Sequence, residues 1–205
     1  MKRNDCDLKT ARDRTSRDRM VQAPTQSLTL EAFLRRPETK PASEYINGCI
    51  TQKPMPKGRH SRLQGKLCTT INQVAEAAKL AYAFPELRCT FGGRSIIPDI
   101  AVFRWERIPF TPNGDVPDNF ELAPDWTIEI LSPDQSPNKV LGNILHCIEH
   151  GAHLGWFVDP DDLSILLLRP DQQPALYQND QMLPVLAELD MNLTAYQLFS
   201  WLKMN

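Results

Sequence analysis

Two short apolar segments of this chain each carry one acid, and this pattern limits how the chain can fold. The segments are residues 96–103, with Asp99, and residues 126–131, with Glu129. Both are rich in β-branched residues, so each is typical of a strand with buried faces. Burying an ionised acid without a partner is costly. The two acids therefore predict half of a metal site.

The size of the chain suits one domain around a sizeable core. It has 205 residues, of which 41% are hydrophobic, and this is enough to bury a substantial apolar interior. Residues 1–26 are dense in Arg, Lys, Asp and Thr with little apolar periodicity, which predicts a mobile polar leader. We expect residues 27–205 to form the single domain.

Cysteine usage and hydropathy bear on the compartment. The five cysteines are an odd number and include no C-x-x-C pair, which argues against a disulfide framework and a zinc ribbon. No apolar run approaches the roughly 20 residues of a membrane span, and the N-terminus has no signal-peptide core. We therefore expect a cytoplasmic protein with no membrane partner.

Net charge does not point to nucleic acid, but one local segment does. The formal charge is −2, whereas residues 53–66 contain five cations, His60 and no acid. A local basic patch can bind phosphates without a global positive charge, and its candidate contacts are Lys53, Lys57, Arg59 and Arg62. The structural alternative is a solvated helix face and loop.

The order of predicted elements indicates a mixed α/β (α+β) fold with a sheet flanked by helices. Asn47-Gly48 has the form of a two-residue hairpin turn, and Ser27 is a candidate N-cap. Predicted helices cover residues 28–34, 60–82, 138–150 and 193–202; predicted strands cover 43–50 as a hairpin, 87–91, 95–103, 126–131, 154–158 and 164–168; and a loop covers 104–124.

Five pieces of the chain, in this order, resemble the Uma-two family, whose members are assigned as bacterial endonucleases. They are EYING at 44–48, His60, PDIAV at 98–102, EILSP at 129–133 and GWFVDP at 155–160. That family belongs to the PD-(D/E)XK, restriction-endonuclease-like superfamily. The resemblance covers most of residues 27–202 and implies a restriction-endonuclease-like fold.

The resemblance also implies a metal-dependent phosphodiesterase that acts on DNA. Asp99 and Glu129 would hold Mg²⁺ (or Mn²⁺), since hard cations prefer carboxylate oxygens. Glu44 is similar to the family's acid on the first strand, and would bind a second metal or orient the water. His60 is similar to the family's histidine, and would contact a phosphate or the water.

One expected residue is displaced, because the superfamily places a lysine two positions after the second acid and this chain has Leu131 there. The family commonly moves that lysine onto the following helix, eight residues before the glycine that ends it. This chain has Asn143 at that position, with Lys139 one turn earlier on the same helix face. We therefore assign the catalytic lysine to Lys139, whose long stem could reach the site.

Each site residue also has a structural interpretation. Glu129 could pair with Arg94 or Arg104, Glu44 could cap or pair at the surface, and Lys139 could be a solvated charge. A further alternative is zinc, because HCIEH at 146–150 matches the H-x-x-E-H peptidase pattern, with His146 and His150 as ligands and Glu149 as the base.

The sequence thus predicts a single-domain, Mg²⁺-dependent DNA endonuclease, expected to be a homodimer because a duplex suits two-fold symmetry. The main alternative is a binding or regulatory module of the same fold that does not cleave, and Leu131 and Asn143 are the residues that favour it.

Overall fold

The computed structural model describes residues 28–204, which form a mixed α+β fold with two sheets and four helices. The helices are α1 Leu30–Leu34, α2 Gly58–Ala75, α3 Pro137–Glu149 and α4 Ala195–Ser200. The strands are β1 Ser43–Ile46, β2 Cys49–Gln52, β3 Ala81–Pro85, β4 Cys89–Phe91, β5 Arg94–Ile96, β6 Ile100–Arg104, β7 Trp126–Ile130, β8 Leu154–Asp159, β9 Ser164–Leu168 and β10 Ala175–Tyr177. The predicted fold class is confirmed.

The first hairpin forms as the sequence predicts. Asn47 and Gly48 have φ values of 51° and 83°, the left-handed conformation that two-residue hairpin turns require and that Asn-Gly tolerates well. The turn fixes the register of β1 on β2, so that Glu44 lies opposite Thr51. This hairpin belongs to a four-stranded sheet in the order β2-β1-β5-β4.

Residues 95–103 were expected to form one strand, but the structure divides them between two sheets. β5 pairs with β1 in the four-stranded sheet, and β6 pairs with β3 and β7 in the six-stranded one. Pro98 lies between them and has no N–H to donate to a ladder, so the strand is interrupted there. Asp99 therefore lies on the short connection between the sheets.

The six-stranded sheet has the order β10-β9-β8-β7-β6-β3 and holds most of the core. Its one parallel pair is β7 with β8, joined by α3 as the crossover helix. A Cβ built on Gly155 of β8 would lie 2.3 Å from Cγ2 of Ile144. This glycine allows α3 to pack directly against the sheet.

α2 covers the sheet through Leu63, Leu67 and Ile71, which are fully buried beside Ile128 and Ile130 of β7. Each large apolar side chain buried in this way contributes about 1.5–3 kcal/mol to folding. Because successive strand residues face opposite sides, Glu129 points away from this core.

Other details of the elements differ from the prediction or add to it. The long helix ends at Ala75 rather than near residue 82, because Ala81–Pro85 pairs along β6 as an edge strand. α1 begins at Leu30, and Thr29 caps it by accepting a hydrogen bond from the N–H of Ala32 at 3.1 Å. The strand Ala175–Tyr177 was not predicted.

The predicted polar leader and Ser27 lie outside the described residues. Within residues 28–204, no helix has the length and apolar character needed to cross a bilayer.

Candidate active site

Three buried carboxylates converge from three different elements. Glu44 comes from β1, Asp99 from the connection between the sheets and Glu129 from β7, and their exposed fractions are 6%, 1% and 1%. Asp99 is fixed by its own neighbourhood, since its Oδ2 accepts a hydrogen bond from the N–H of Ile130 at 2.7 Å. The chain thus concentrates negative charge where burial makes it costly.

One lysine lies among these acids, and it is Lys53. Its Nζ is 2.7 Å from Oδ1 of Asp99 and 3.7 Å from Oε2 of Glu129, and it donates to the carbonyl oxygen of Ile97 at 2.6 Å. The sequence placed Lys53 in a basic surface patch, whereas only 13% of its side chain is exposed. Lys53 is buried because it directly follows β2 and its ammonium reaches Asp99.

α2 adds two polar side chains from one face, one turn apart. His60 Nε2 lies 3.0 Å from Oδ2 of Asp99, and Gln64 donates to the carbonyl oxygen of Asp99 at 2.8 Å. Both residues are buried. His60 Nδ1 is buried and has no hydrogen-bond partner within residues 28–204.

Glu44 ties the hairpin to the rest of the site. Its Oε1 accepts a hydrogen bond from the N–H of Ile97 at 2.9 Å, and Asn143 Nδ2 on α3 lies 3.4 Å and 3.5 Å from the two carboxylate oxygens. Asn143 therefore holds Glu44 from the helix position at which the family resemblance implies a lysine. Lys139 is exposed on the first turn of α3, and the structure does not bring it to the carboxylates.

Burial and neighbouring charges shift the pKa values of the three acids in different directions. Burial raises the pKa of Glu44 and raises that of Glu129 well above its ordinary value, against the opposing effect of Lys53. Burial also acts on Asp99, but Lys53 and the His60 hydrogen bond outweigh it and hold its pKa below the ordinary value. The surrounding acids keep Lys53 charged by raising its pKa, although burial alone would lower it.

The cluster has fewer cationic partners than acids. Among residues 28–204, Lys53 is the only lysine or arginine that forms an ion pair with these three carboxylates. The buried Oε1 of Glu129 has no hydrogen-bond partner in the same range. Carboxylate oxygens are the ligands that Mg²⁺ and Mn²⁺ prefer, so the donor set fits a divalent cation.

A cavity of about 320 Å³ opens beside the cluster. Its lining includes Lys53, His60 and Asp99 from the site, and Met55 and Gln135 from the loops around it. A bound molecule could therefore meet the ammonium, the imidazole and one carboxylate together.

The remaining residues of the predicted basic patch lie around the start of α2 and have acceptors within the chain. Lys57 pairs with Asp134 at 2.5 Å, Arg59 pairs with Asp161 at 2.5 Å, and Arg62 donates to the carbonyl oxygen of Trp201 at 3.0 Å. The first two pairs are more than half exposed. Such surface pairs are weak, so these cations remain accessible to an anionic partner.

The alternative zinc motif occupies the end of α3. One ligand atom from each of His146, Glu149 and His150 lies within 4.8 Å of the others. However, His146 Nε2 contacts the carbonyl oxygen of Phe91 at 3.2 Å, and the ring stacks on Phe91 with 4.8 Å between centroids. His150 Nδ1 contacts the carbonyl oxygen of His146 at 2.8 Å. With His146 only 3% exposed, this geometry does not favour a peptidase.

Comparison with known proteins identifies the class. Residues 30–200 match the model of the Uma2 family, described as "Putative restriction endonuclease". The chain belongs to this family. No curated protein matches it.

A solved structure agrees with this assignment. The fold is similar to the crystal structure of a protein from Anabaena variabilis ATCC 29413, titled a putative nuclease belonging to DUF820. The two chains are 51% identical with a TM-score of 0.84, over 85% of this chain and 99% of that one. The predicted family and fold are confirmed, and both support a nuclease role with a nucleic-acid substrate.

The register of the hairpin is a sequence signal for the position of Lys53. Since the Asn-Gly turn sets Glu44 opposite Thr51, the period of two places residue 53 on the face of the hairpin that carries Glu44. The chain gives no comparable signal for Gln64, because helical spacing alone shows only that it shares a face with His60.

Proposed function

We propose that this protein is a divalent-metal-dependent endonuclease that hydrolyses DNA phosphodiester bonds. The observation that carries the proposal is the buried cluster of Glu44, Asp99 and Glu129, of which Asp99 lines a cavity. Within residues 28–204 the cluster has a single ammonium partner, and Glu129 Oε1 has no hydrogen-bond partner. A purely structural cluster would be expected to pair its charges fully.

The reaction is an in-line displacement at phosphorus. A water oxygen forms a new bond to phosphorus while one ester P–O bond breaks. One water proton passes to a base, and the departing alkoxide takes up a proton. The products are a phosphomonoester and a free hydroxyl, and no oxidant or other co-reactant is required.

Mg²⁺ or Mn²⁺ would be held by Asp99 and Glu129, the two acids that Lys53 approaches within 4 Å. When bound there, the ion would supply Lewis-acid polarisation of the phosphate and a lower pKa for a bound water. Glu44 would orient the water or contribute to a second ion. Its hydrogen bond from Ile97 and its approach to Asn143 keep it in place for either role.

His60 would serve at the water or the phosphate. Its Nε2 donates to Asp99, which orients the ring, and the residue lines the cavity. Nδ1 would then accept a proton from the attacking water or, once the ring is protonated, donate a hydrogen bond to a phosphate oxygen. Lys57, Arg59 and Arg62 would contact the DNA backbone after exchanging their internal acceptors for phosphates.

Two finer features belong to the same proposal. We expect a homodimer, because cleaving both strands of a duplex suits two-fold symmetry, and a cytoplasmic enzyme, because Cys68, Cys89 and Cys147 remain free thiols.

The test is cleavage of supercoiled plasmid by purified protein with Mg²⁺ or Mn²⁺. Asp99→Asn and Glu129→Gln should each abolish nicking, because they remove the charges that hold the metal. Glu149→Gln is the matched control, since Glu149 is an exposed acid outside the cluster, and it should nick at the wild-type rate. Equal nicking by all four proteins would show that the assigned site is wrong.

The alternative is a module of the same fold that binds nucleic acid without cleaving it. Leu131 and Asn143 favour it, since neither position usually used by the lysine carries one. A gel-shift assay beside the plasmid assay separates the two functions. Wild-type DNA binding that depends on Lys57 and Arg59, without nicking under either metal, would support the module.

A further inference from the structure

We propose that Lys53 is the catalytic lysine of this site, with its ammonium donating a hydrogen bond to the scissile phosphate or the attacking water. The inference rests on the proposed nuclease function and names the residue that completes it. The lysine is then supplied by the end of β2, rather than by the strand of Glu129 or by α3.

The hydrogen bonds of Lys53 leave part of the ammonium available. An ammonium has three N–H donors. Two of them are engaged, with the carbonyl oxygen of Ile97 at 2.6 Å and Oδ1 of Asp99 at 2.7 Å. Glu129 Oε2 lies 3.7 Å away, beyond hydrogen-bonding range. The third donor can therefore serve a ligand while the first two hold Nζ in place.

Lys53 also has access to a ligand. It lines the 320 Å³ cavity together with His60 and Asp99. Its side chain is 13% exposed, in contrast with 1% for Asp99. Little water would lie between this ammonium and a phosphate bound in the cavity. Their electrostatic attraction is therefore stronger than it would be in bulk solvent.

The usual positions for this lysine are filled by other side chains. Leu131 is apolar, Asn143 contacts Glu44, and Lys139 is exposed on α3. Within residues 28–204, Lys53 is the only lysine that contacts the carboxylate cluster. The site therefore contains one ammonium, as the superfamily pattern requires, but here the residue after β2 carries it.

A positive charge at this position suits the reaction. In-line attack concentrates negative charge on the phosphate oxygens and the leaving group, and a preorganised donor stabilises that charge. Removing one such donor from other enzymes slows catalysis by about 100- to 1000-fold. A plain counter-ion for Asp99 would need neither a spare donor nor a place on the cavity wall.

The experiment compares wild type, Lys53→Met, Lys53→Arg and Lys139→Met. Cleavage of a DNA duplex is measured under single-turnover conditions with saturating Mg²⁺, and Mn²⁺ binding is measured separately by electron paramagnetic resonance. We expect Lys53→Met to cleave at least about 100-fold more slowly while still binding Mn²⁺. Lys139→Met, the matched control on an exposed lysine, should remain within twofold of wild type.

The outcomes separate this inference from the proposed function. If wild type does not cleave, the proposed function fails, and the lysine assignment fails with it. If wild type cleaves and Lys53→Met stays within fivefold of it, only the lysine assignment fails. If Lys53→Met loses both Mn²⁺ binding and cleavage, the assignment is also overturned. Lys53 would then serve only to maintain the metal site.

Lys53→Arg decides the matter if Lys53→Met does not fold. It keeps the charge but replaces the compact ammonium by a planar fork. A folded, Mn²⁺-binding Lys53→Arg that cleaves at least about tenfold more slowly supports the assignment. Cleavage at the wild-type rate overturns it.

Discussion

The strand pair β6–β7 buries charge at both of its ends, but the two ends pair their charges differently. At one end, Glu44, Asp99 and Glu129 share Lys53. At the other, Asp125 is fully buried and meets Arg104 and Arg107. The same two strands thus present one cluster with an excess of acid and one in which the acid is fully paired.

The paired end has a complete set of partners. Asp125 Oδ1 accepts from Arg104 at 2.7 Å and pairs with Arg107 at 2.8 Å, and its Oδ2 accepts from the backbone N–H of Arg104 at 2.8 Å. Glu188 pairs with Arg104 from outside at 3.1 Å. Two acids meet two arginines, whereas Glu129 Oε1 at the other end has no partner within residues 28–204.

The difference distinguishes two uses of a buried acid. Buried charges are normally paired because isolation is costly. At the Arg104–Asp125 end the charges pair with one another, which suits this end to stabilising the long loop that connects β6 to β7. In the carboxylate cluster, the desolvation free energy of the acids is only partly compensated by Lys53, and a bound cation could offset the remainder. Five measurements can break or sharpen this contrast.

The largest effect is expected for Glu129→Gln. This near-isosteric change removes a metal-binding charge, so plasmid cleavage should fall by about 1000-fold. The free energy of unfolding in EDTA should stay the same or rise, because a neutral amide replaces a carboxyl that burial disfavours in its charged form. Urea unfolding followed by circular dichroism measures it. A clear loss of stability would show that this end is structural too.

Asp125→Ala should give the opposite result. Removing the buried acid leaves Arg107 without its ion pair and Arg104 with only the half-exposed Glu188, and the free energy of unfolding should fall by about 3 kcal/mol. The cleavage rate per folded molecule should be unchanged. Denaturant unfolding and active-protein titration test the two parts. Retained stability would mean that the arginines reach solvent freely.

A divalent metal ion should stabilise the folded protein by binding at the carboxylate cluster, not at the Arg104–Asp125 end. At 100 times its dissociation constant, a divalent ion adds about 2.7 kcal/mol to the stability of a protein that binds it only when folded. Thermal unfolding of wild type should therefore shift upward with Mg²⁺ and return with EDTA. Asp125→Ala should show the same shift and Glu129→Gln almost none. An equal shift in all three proteins would place the ion elsewhere.

Asn143→Lys should give the carboxylate cluster a second cation and so reduce its excess of acids over cations. The new ammonium would lie near Glu44, as Asn143 Nδ2 does at 3.4 Å, and should raise metal-free stability by about 1 kcal/mol. It should also reduce the Mg²⁺-dependent shift. Asn143→Met has similar bulk without charge and is the control. Equal stability of the two variants would mean that packing, not charge, decides the outcome.

The smallest effect is expected at Glu188, whose side chain is 45% exposed. Glu188→Ala should cost only about 0.2–1 kcal/mol, as exposed ion pairs do. A hydrogen bond from its own backbone N–H, together with Arg104, lowers the pKa of Glu188 below its ordinary 4.5.

The sign of the pH dependence follows from that lowered pKa. The Glu188 contribution is complete above pH 4.5 and is lost as the pH falls through the folded-state pKa. Unfolding of wild type and Glu188→Ala at pH 7 and pH 3 would show the difference between them shrink as the pH falls. A difference that persists undiminished at pH 3 would contradict this origin.

Much of this arrangement was predictable because it depends on local patterns. The Asn-Gly hairpin, the apolar spacing of α2 and the acids in apolar strands each follow from short stretches of chain. The order of five short pieces indicated the family. These signals named Glu44, His60, Asp99 and Glu129, and the structure brings these four together.

The remainder depends on contacts between distant segments. The break between β5 and β6 reflects a change of sheet, and only the Pro98 backbone hinted at it. β3 has an alanine-rich sequence and becomes a strand because β6 offers it an edge. Lys53 reaches Asp99 only because the hairpin docks against the connection between the sheets, and spacing along a single element does not reveal that docking.

Ile97 forms the joint between the two halves of the site. Its N–H is bound by Glu44 and its carbonyl by Lys53, and two residues later the chain reaches Asp99. Both contacts use the backbone, so they depend on how many residues connect the sheets more than on which residues these are. A one-residue insertion or deletion between Ile96 and Asp99 would shift Glu44 and Lys53 out of register with Glu129 on β7. Variation among relatives should therefore be tolerated here as substitution but not as a change of length.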